Sequence, residues 1–289
     1  MESAAAVAPH RRTIHLWFAF LEDTEDARLL ADYRQLLTAA ERRQESLFHF
    51  HKDRRRYLVT RALARVVLSR FAAKAPDQLR FNTNEYGKPA VADLDPDVAG
   101  LSFNLSHTGN LIVLAVAHDC ALGVDTESVT AKPACTDLAD RFFTKDEAAA
   151  LRALPSGMQQ ERFFEYWTLK EAYIKARGMG LAIALDRFGF HFPSSERVSM
   201  WMHPDLGDCP SRWRFWQLRA ATEYLIAVCA EQHEAAPSFD ITTRRIVPLR
   251  GEETISCTQL RASRPHSIDV CSPPCPGSNE YADRGIAIE

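Results

Sequence analysis

Three short stretches bring together residue types that could do chemistry. Asp125 and Glu127 lie two apart in Gly123-Val124-Asp125-Thr126-Glu127. Residues i and i+2 of a strand face the same side, so the two carboxylates project together. Two such charges repel unless a cation joins them. An all-oxygen pair suits a hard cation such as Mg²⁺, which keeps water and accepts phosphate oxygens. A solvated strand end has the same pattern, and the pair alone does not separate the two readings. Glu171 and Lys175, in Trp167-Thr168-Leu169-Lys170-Glu171-Ala172-Tyr173-Ile174-Lys175, are four apart on one helix face. Taken alone they are an exposed ion pair worth about 0.2–0.5 kcal/mol. In Asn104-Leu105-Ser106-His107 a hydroxyl, an imidazole and backbone donors could hold a phosphate. A Ser–His hydrolase is a poorer match: adjacent Ser and His do not form a nucleophile–base pair, and no GxSxG is present.

Secondary elements must position these groups. Residues 101–105 and 111–116 read as strands, and residues 122–127 as a further strand antiparallel to the one before, across a turn at Asp119-Cys120. Phe163, Phe164, Trp167 and Ile174 bury one face of a helix over 162–177, which Gly178 and Gly180 stop. Residues 53–73 form a long helix with Leu58, Ala62, Val66 and Val67 inward and Arg54, Arg61 and Arg65 on another side. Thr38 to Glu41 and Thr144 to Glu147 have capping-box spacing, and Thr24 is placed to cap a helix opened by Glu25 and Asp26. Asn84-Glu85-Tyr86-Gly87 is a turn after a strand that begins at 79–81. Residues 188–192, 214–219 and 224–230 alternate like strands. Strands and helices thus come in two similar batches about Gly123, without a strong sequence repeat. That pattern is α+β with two related layers rather than a βαβ series.

Composition bounds the answer. With 46% apolar and 25% charged residues, the 289-residue chain is ordinary globular protein, neither collagen-like nor wholly disordered. A net charge of −3 implies no nucleic-acid partner, and no apolar run reaches the roughly 18–20 residues of a membrane span. Arg11 and Arg12 before the apolar stretch 14–21 imitate a signal peptide, but the stretch is short and Glu22-Asp23 follows it, so Ile14, Trp17, Phe18 and Phe20 read as a buried first strand. Residues 1–12 read as a loose start. Seven cysteines without a CxxC pair suggest reduced thiols and a cytoplasmic protein. From Arg245 prolines accumulate and Tyr281 is the one aromatic, so residues 245–289 are expected to be a flexible tail. On this reading a chain ending at Thr243 folds and works normally.

The ordered set Gly123–Glu127, then Trp167–Lys175, with Asn104–Gly109, Tyr86-Gly87-Lys88-Pro89 and Arg141-Phe142-Phe143 in place, resembles the signature of Sfp-type 4′-phosphopantetheinyl transferases over roughly residues 14–232. The resemblance implies two similar α+β subdomains related by pseudo-two-fold symmetry, at 13–122 and 123–244, with the active site in the cleft between them and a monomeric chain. It implies transfer of the phosphopantetheine arm of coenzyme A to a serine of an apo acyl or peptidyl carrier protein, giving holo carrier and adenosine 3′,5′-bisphosphate. Asp125, Glu127 and Glu171 would hold Mg²⁺. Glu171 would also act as base, and Lys175 would neutralise the diphosphate. Lys88 and Pro89 would line the adenine site, and Ser106 and His107 would contact coenzyme phosphates. Thr126 stands where some relatives carry a third ligand, which leaves that coordination position to water.

Residues 42–74 carry ten basic residues against Glu45 and Asp53. One reading is a solvated helix. The other is a site for the coenzyme 3′-phosphate, with Arg56 as the single best candidate, and attraction to an acidic carrier. Stacking aromatics do not interleave with these arginines, which disfavours nucleic acid. Two rival functions stay open: a non-catalytic carrier-binding module, which should have lost an acidic residue or the lysine, and a Mg²⁺-dependent phosphohydrolase, which would need no carrier.

Overall fold

The computed structural model describes residues 13–92, 94–130, 136–232 and 238–263. In order these form β1 (Thr13–Phe20), α1 (Ala27–Leu36), α2 (Ala39–Ser46), α3 (His51–Ala72), a hairpin of β2 (Phe81–Thr83) and β3 (Pro89–Val91), β4 (Leu101–Thr108) and β5 (Leu111–His118). There follow β6 (Leu122–Ser128), α4 (Ala139–Phe142), α5 (Lys145–Arg152), α6 (Ser156–Arg177), β7 (Phe188–Ser194), β8 (Arg197–Met202), β9 (Trp213–Ala220) and β10 (Tyr224–Glu231). The chain then returns as β11 (Asp240–Val247), β12 (Gly251–Thr254) and β13 (Thr258–Ala262). One sheet has the order β12-β11-β1-β5-β4 and the other β6-β10-β9-β13-β8-β7. The protein is therefore α+β with two sheet-containing subdomains.

The two subdomains repeat one plan in their buried polar chemistry. Each has an eight-residue helix opened by a capping box, Thr38 with Glu41 and Thr144 with Glu147, followed by a 22-residue helix. At the same position of the two long helices sits a buried cation, Arg65 or Lys170. Arg65 meets Glu41 at 2.7 Å and donates to Pro76 O and Leu79 O. Lys170 meets Glu147 at 2.8 Å and donates to Leu185 O and Phe188 O. The capping glutamate thus does two jobs, closing a helix start and neutralising a buried charge, and removing either partner of such a pair costs about 3–5 kcal/mol. The first strand of each half pairs antiparallel with the last, β1 with β5 and β6 with β10.

Each sheet buries its helix side in its own core. A third core lies between the sheets, where Ile14, Leu16 and Phe18 share a cluster with Val124, Leu218 and Ile226. Among the described residues no helix is long and apolar enough to cross a membrane.

Several sequence expectations are corrected. The strand at 122–127 is present but pairs β10, not β5, because β5 already has β1 and β4 on its two edges. Arg65 is buried at 1% exposure rather than on a solvated side. Asp26, not Thr24, caps α1, its side chain accepting from Arg28 N. Cys120, Cys229 and Cys257 are free thiols. The largest correction concerns the segment from Arg245. Residues 245–263 are ordered: β11 lies parallel on β1, β12 on β11, and β13 is inserted between β9 and β8. Composition misled here because the segment completes sheets begun elsewhere and needs few apolar residues of its own. Residues 1–12 and 264–289 lie outside the described residues.

Candidate active site

The site forms where the two sheets meet edge to edge. Polar residues occupy every second position of β4, and these share one face. Asn104 Oδ1 accepts from Val124 N at 2.9 Å, Ser106 Oγ from Thr126 N at 3.2 Å, and Thr108 Oγ1 from Ser128 N at 3.3 Å. Side chains of β4 therefore stand in for a backbone ladder and satisfy N–H groups that an open sheet edge would leave unpaired. Two of these hydroxyls also donate onward, Ser106 Oγ to Asp125 Oδ1 at 2.8 Å and Thr108 Oγ1 to Glu127 Oε2 at 3.2 Å. The sheet junction and the carboxylate pair are one hydrogen-bonded unit.

Helix α6 supplies the rest. Gly123 lets β6 approach it: a Cβ there would lie 2.0 Å from Ala172 O and 2.4 Å from Ala176 N. That close approach is the physical reason for glycine at the head of the Gly123–Glu127 motif. It brings Lys175 Nζ to 2.6 Å from Asp125 Oδ1 and 3.1 Å from Ser106 Oγ. Asp125 is 5% exposed, and its Oδ2 is buried with no hydrogen-bond partner. Burial and then the charge of Asp125 push the Glu171 carboxyl up to about 7; Lys175 opposes this, and Glu127 adds to it. The i,i+4 spacing of Glu171 and Lys175 is therefore not a surface pair. Lys175 turns to Asp125, and Glu171 is left among carboxylates.

The donor set matches a hard cation in kind. It is all oxygen, Asp125 Oδ2 lacks a partner, and Glu171 is destabilised by the two carboxylates it would share a cation with. Among the described residues no three His, Cys, Asp or Glu side chains are already gathered as a metal cluster.

Other sequence candidates fall around this centre. A cleft of about 370 Å³ is lined by Lys88, Pro89, Asn104, Glu171, Lys175 and Leu181, among others. The Lys88 ammonium is turned away to two backbone carbonyls, Leu122 O and Ala176 O, each at 2.9 Å, and burial pushes it down to about 8. Ser106 is buried in the junction, while His107, the next residue of the strand, is exposed. Desolvation and then the Arg56 guanidinium hold the His107 imidazole below its usual range. Arg56 is near enough to act on it while itself paired with Asp53 at 2.8 Å. The basic stretch is less free than its sequence suggests: Arg55 pairs with Glu25, Arg61 and Arg65 with Glu41, and Arg70 with Glu252. Sequence reasoning missed Thr108, Asn84 and Gly178 as members of the site's framework. The alternation of polar residues at 104, 106 and 108 was the available signal for the first.

A family model described as the 4′-phosphopantetheinyl transferase superfamily matches residues 121–229, and one described as 4′-phosphopantetheinyl transferase, N-terminal, matches residues 22–119. The chain is 37% identical over 169 residues to the 4′-phosphopantetheinyl transferase HetI of Nostoc, covering 58% of this chain and 70% of that protein. It is 35% identical over 205 residues to the 4′-phosphopantetheinyl transferase Sfp of Bacillus subtilis, covering 70% and 85%. A phosphopantetheinyl transferase of Thraustochytrium is 32% identical over 250 residues, covering 81% and 83%.

Proposed function

The chain belongs to the 4′-phosphopantetheinyl transferase superfamily, and on that premise we propose that it moves the phosphopantetheine arm of coenzyme A to a serine of an apo acyl or peptidyl carrier protein, with Mg²⁺ and with adenosine 3′,5′-bisphosphate as second product. The observation that carries this reading is the convergence of Asp125, Glu127, Glu171 and Lys175 on one sheet junction beside a cleft.

In the reaction the serine Oγ bonds to the phosphorus nearest the pantetheine, the phosphorus–oxygen bond to the nucleotide phosphate breaks, and the serine proton leaves. Phosphoryl chemistry of this kind depends on positioning and charge neutralisation more than on a protein nucleophile. Asp125, Glu127 and Glu171 would hold Mg²⁺, which when bound supplies positive charge to the diphosphate. Glu171 takes the serine proton; a carboxylate that also holds a cation is a weak base, so its closeness to the serine supplies much of the effect. Lys175 exchanges Asp125 for the diphosphate as substrate enters and neutralises the leaving group. Arg56 offers positive charge for the 3′-phosphate, and His107, held neutral beside it, offers a hydrogen bond. We place the protein in the cytoplasm as a monomer.

The test is intact-mass analysis after incubation with coenzyme A, Mg²⁺ and a panel of apo carriers. A mass gain of one phosphopantetheine on a carrier supports transfer. Consumption of coenzyme A without any carrier gain would favour a phosphohydrolase and remove this reading.

Carrier encounter should depend on salt. Among the described residues Arg42 and Arg54 use their guanidinium groups on backbone carbonyls and form no ion pair, so their charge is available to a partner. Exposed charges are screened beyond about 8 Å at physiological ionic strength. Raising salt is expected to raise KM for an acidic carrier several-fold through slower association, with kcat little changed. A KM constant from low to high salt would remove the steering role.

A further inference from the structure

Lys88 sits in the turn of the β2–β3 hairpin, in the first subdomain, yet its ammonium touches only the second. Its two acceptors are Leu122 O, at the start of β6, and Ala176 O, in the last turn of α6. These are the two elements that carry the site. Leu122 is three residues before Asp125, and Ala176 follows Lys175 directly. Asn84 works beside it. Its Oδ1 accepts from Tyr86 N at 3.0 Å and Lys88 N at 2.9 Å, which fixes the turn, and its Nδ2 donates to Gly178 O at 2.7 Å. Gly178 is the left-handed cap of α6, φ 66°, and a Cβ there would lie 2.8 Å from Lys88 Cδ and 3.1 Å from Asn84 Nδ2. The last carbonyls of a helix have no partner within it, and a cation at that end is favoured by the helix dipole. The turn satisfies both demands across the subdomain boundary.

We propose that Lys88 is a positioning residue: together with Asn84 it clamps the start of β6 to the end of α6 and so sets the distance between Asp125 and the Glu171–Lys175 face, rather than recognising coenzyme A with its ammonium. Both carbonyls it holds are within a few residues of reacting groups, so releasing them lets α6 and β6 shift relative to each other. A displacement near 1 Å at a reacting centre can cost about 10²-fold in rate. The proposal rests on the transferase reading for its kinetic consequences but not for its structural ones.

The experiment compares the full chain with Lys88→Met and with Asn84→Asp, which keeps the turn acceptor and removes the donor to Gly178 O. Two substrates are used: coenzyme A, and an analogue whose diphosphate ends in a methyl group instead of the nucleoside. Clamping predicts that Lys88→Met lowers kcat at least tenfold on both substrates, with KM for coenzyme A changed by less than threefold, and that Asn84→Asp does the same more weakly. Hydrogen exchange should quicken at residues 122–124 and 174–178 in both variants and stay unchanged in the β11 strand. A loss seen with coenzyme A but not with the analogue overturns the proposal in favour of direct nucleotide contact. Wild-type kinetics, or unchanged exchange at both sites, also overturns it. If Lys88→Met does not fold, Asn84→Asp decides by the same criteria. If the wild-type chain loads no carrier, the transferase reading fails while the exchange result still judges the clamp.

Discussion

Glu171→Gln is expected to cut transfer by 10²-fold or more and, in the same protein, to raise the melting temperature of the ligand-free enzyme. The two effects share one cause. Burial and the Asp125 charge raise the Glu171 carboxyl from 4.5 to about 7. A folded-state value above the unfolded one means that the folded protein holds the extra proton between about pH 4.5 and 7, so stability falls as pH rises through that window. Above it the ionised carboxylate is a standing cost to the fold. Glutamine removes that cost, and relief of roughly 1–2 kcal/mol is expected because water in the cleft screens part of the repulsion. For a chain of this size that is a few degrees in Tm. The amide cannot take up the serine proton, which sets the loss of rate. Mg²⁺ should shrink the difference in Tm, since on the proposed reading it relieves the same repulsion in the wild type. Asp125→Ala should behave differently, weakening Mg²⁺ and leaving Lys175 without its 2.6 Å partner, so that added Mg²⁺ restores part of the activity. Lys175→Ala should harm coenzyme binding and turnover together. Melting curves from pH 5 to 8 beside transfer kinetics make the check. A Glu171→Gln protein with wild-type kcat would move the base elsewhere, and one with unchanged Tm at pH 8 would show that the carboxylates do not feel one another.

The centre of the site was readable in the sequence because strand and helix periods are local rules. Asp125 and Glu127 share a face by period two, Glu171 and Lys175 by period 3.6, and both capping boxes formed where their spacing put them. The relations between elements were not readable. That Lys175 prefers Asp125 to Glu171 follows from Gly123 letting β6 touch α6, a contact between positions far apart in sequence. Arg65 looked like one more arginine on a basic helix until Glu41 was brought to it from α2. Strand partners are equally non-local: nothing in residues 122–127 says that residues 224–231 will lie beside them. The segment after Arg245 is the extreme case, since its order depends almost wholly on edges presented by other strands.

That dependence makes truncation the most damaging change expected here. A chain ending at Thr243 should fail to accumulate as folded protein, the reverse of what its composition suggests. The cut falls within β11 and removes its pairing with Trp17 and Phe18 of β1. It strands buried donors: Trp17 Nε1 loses Glu252, and Tyr33 Oη, fully buried, loses Pro248 O. In the other subdomain Arg261 of β13 disappears from between Glu165, at 2.8 Å, and Gln217 Oε1, at 2.7 Å. Glu165 lies on α6, so the loss reaches the helix that carries Glu171 and Lys175. Each buried polar group left without a partner costs about 1–3 kcal/mol, and a buried ion pair broken on one side about 3–5 kcal/mol. Several such losses together rival the 5–15 kcal/mol that holds a typical domain folded. β9 would also be left as an open edge beside an apolar inter-sheet core, which invites association between chains. A chain ending at Ser263, by contrast, keeps every one of these contacts. Soluble yield, melting temperature and light scattering of the two truncations decide the matter. If the Thr243 chain melts within a few degrees of the full protein, β11 to β13 only decorate the fold, and the contacts of Glu252 and Arg261 contribute nothing to holding the two sheets.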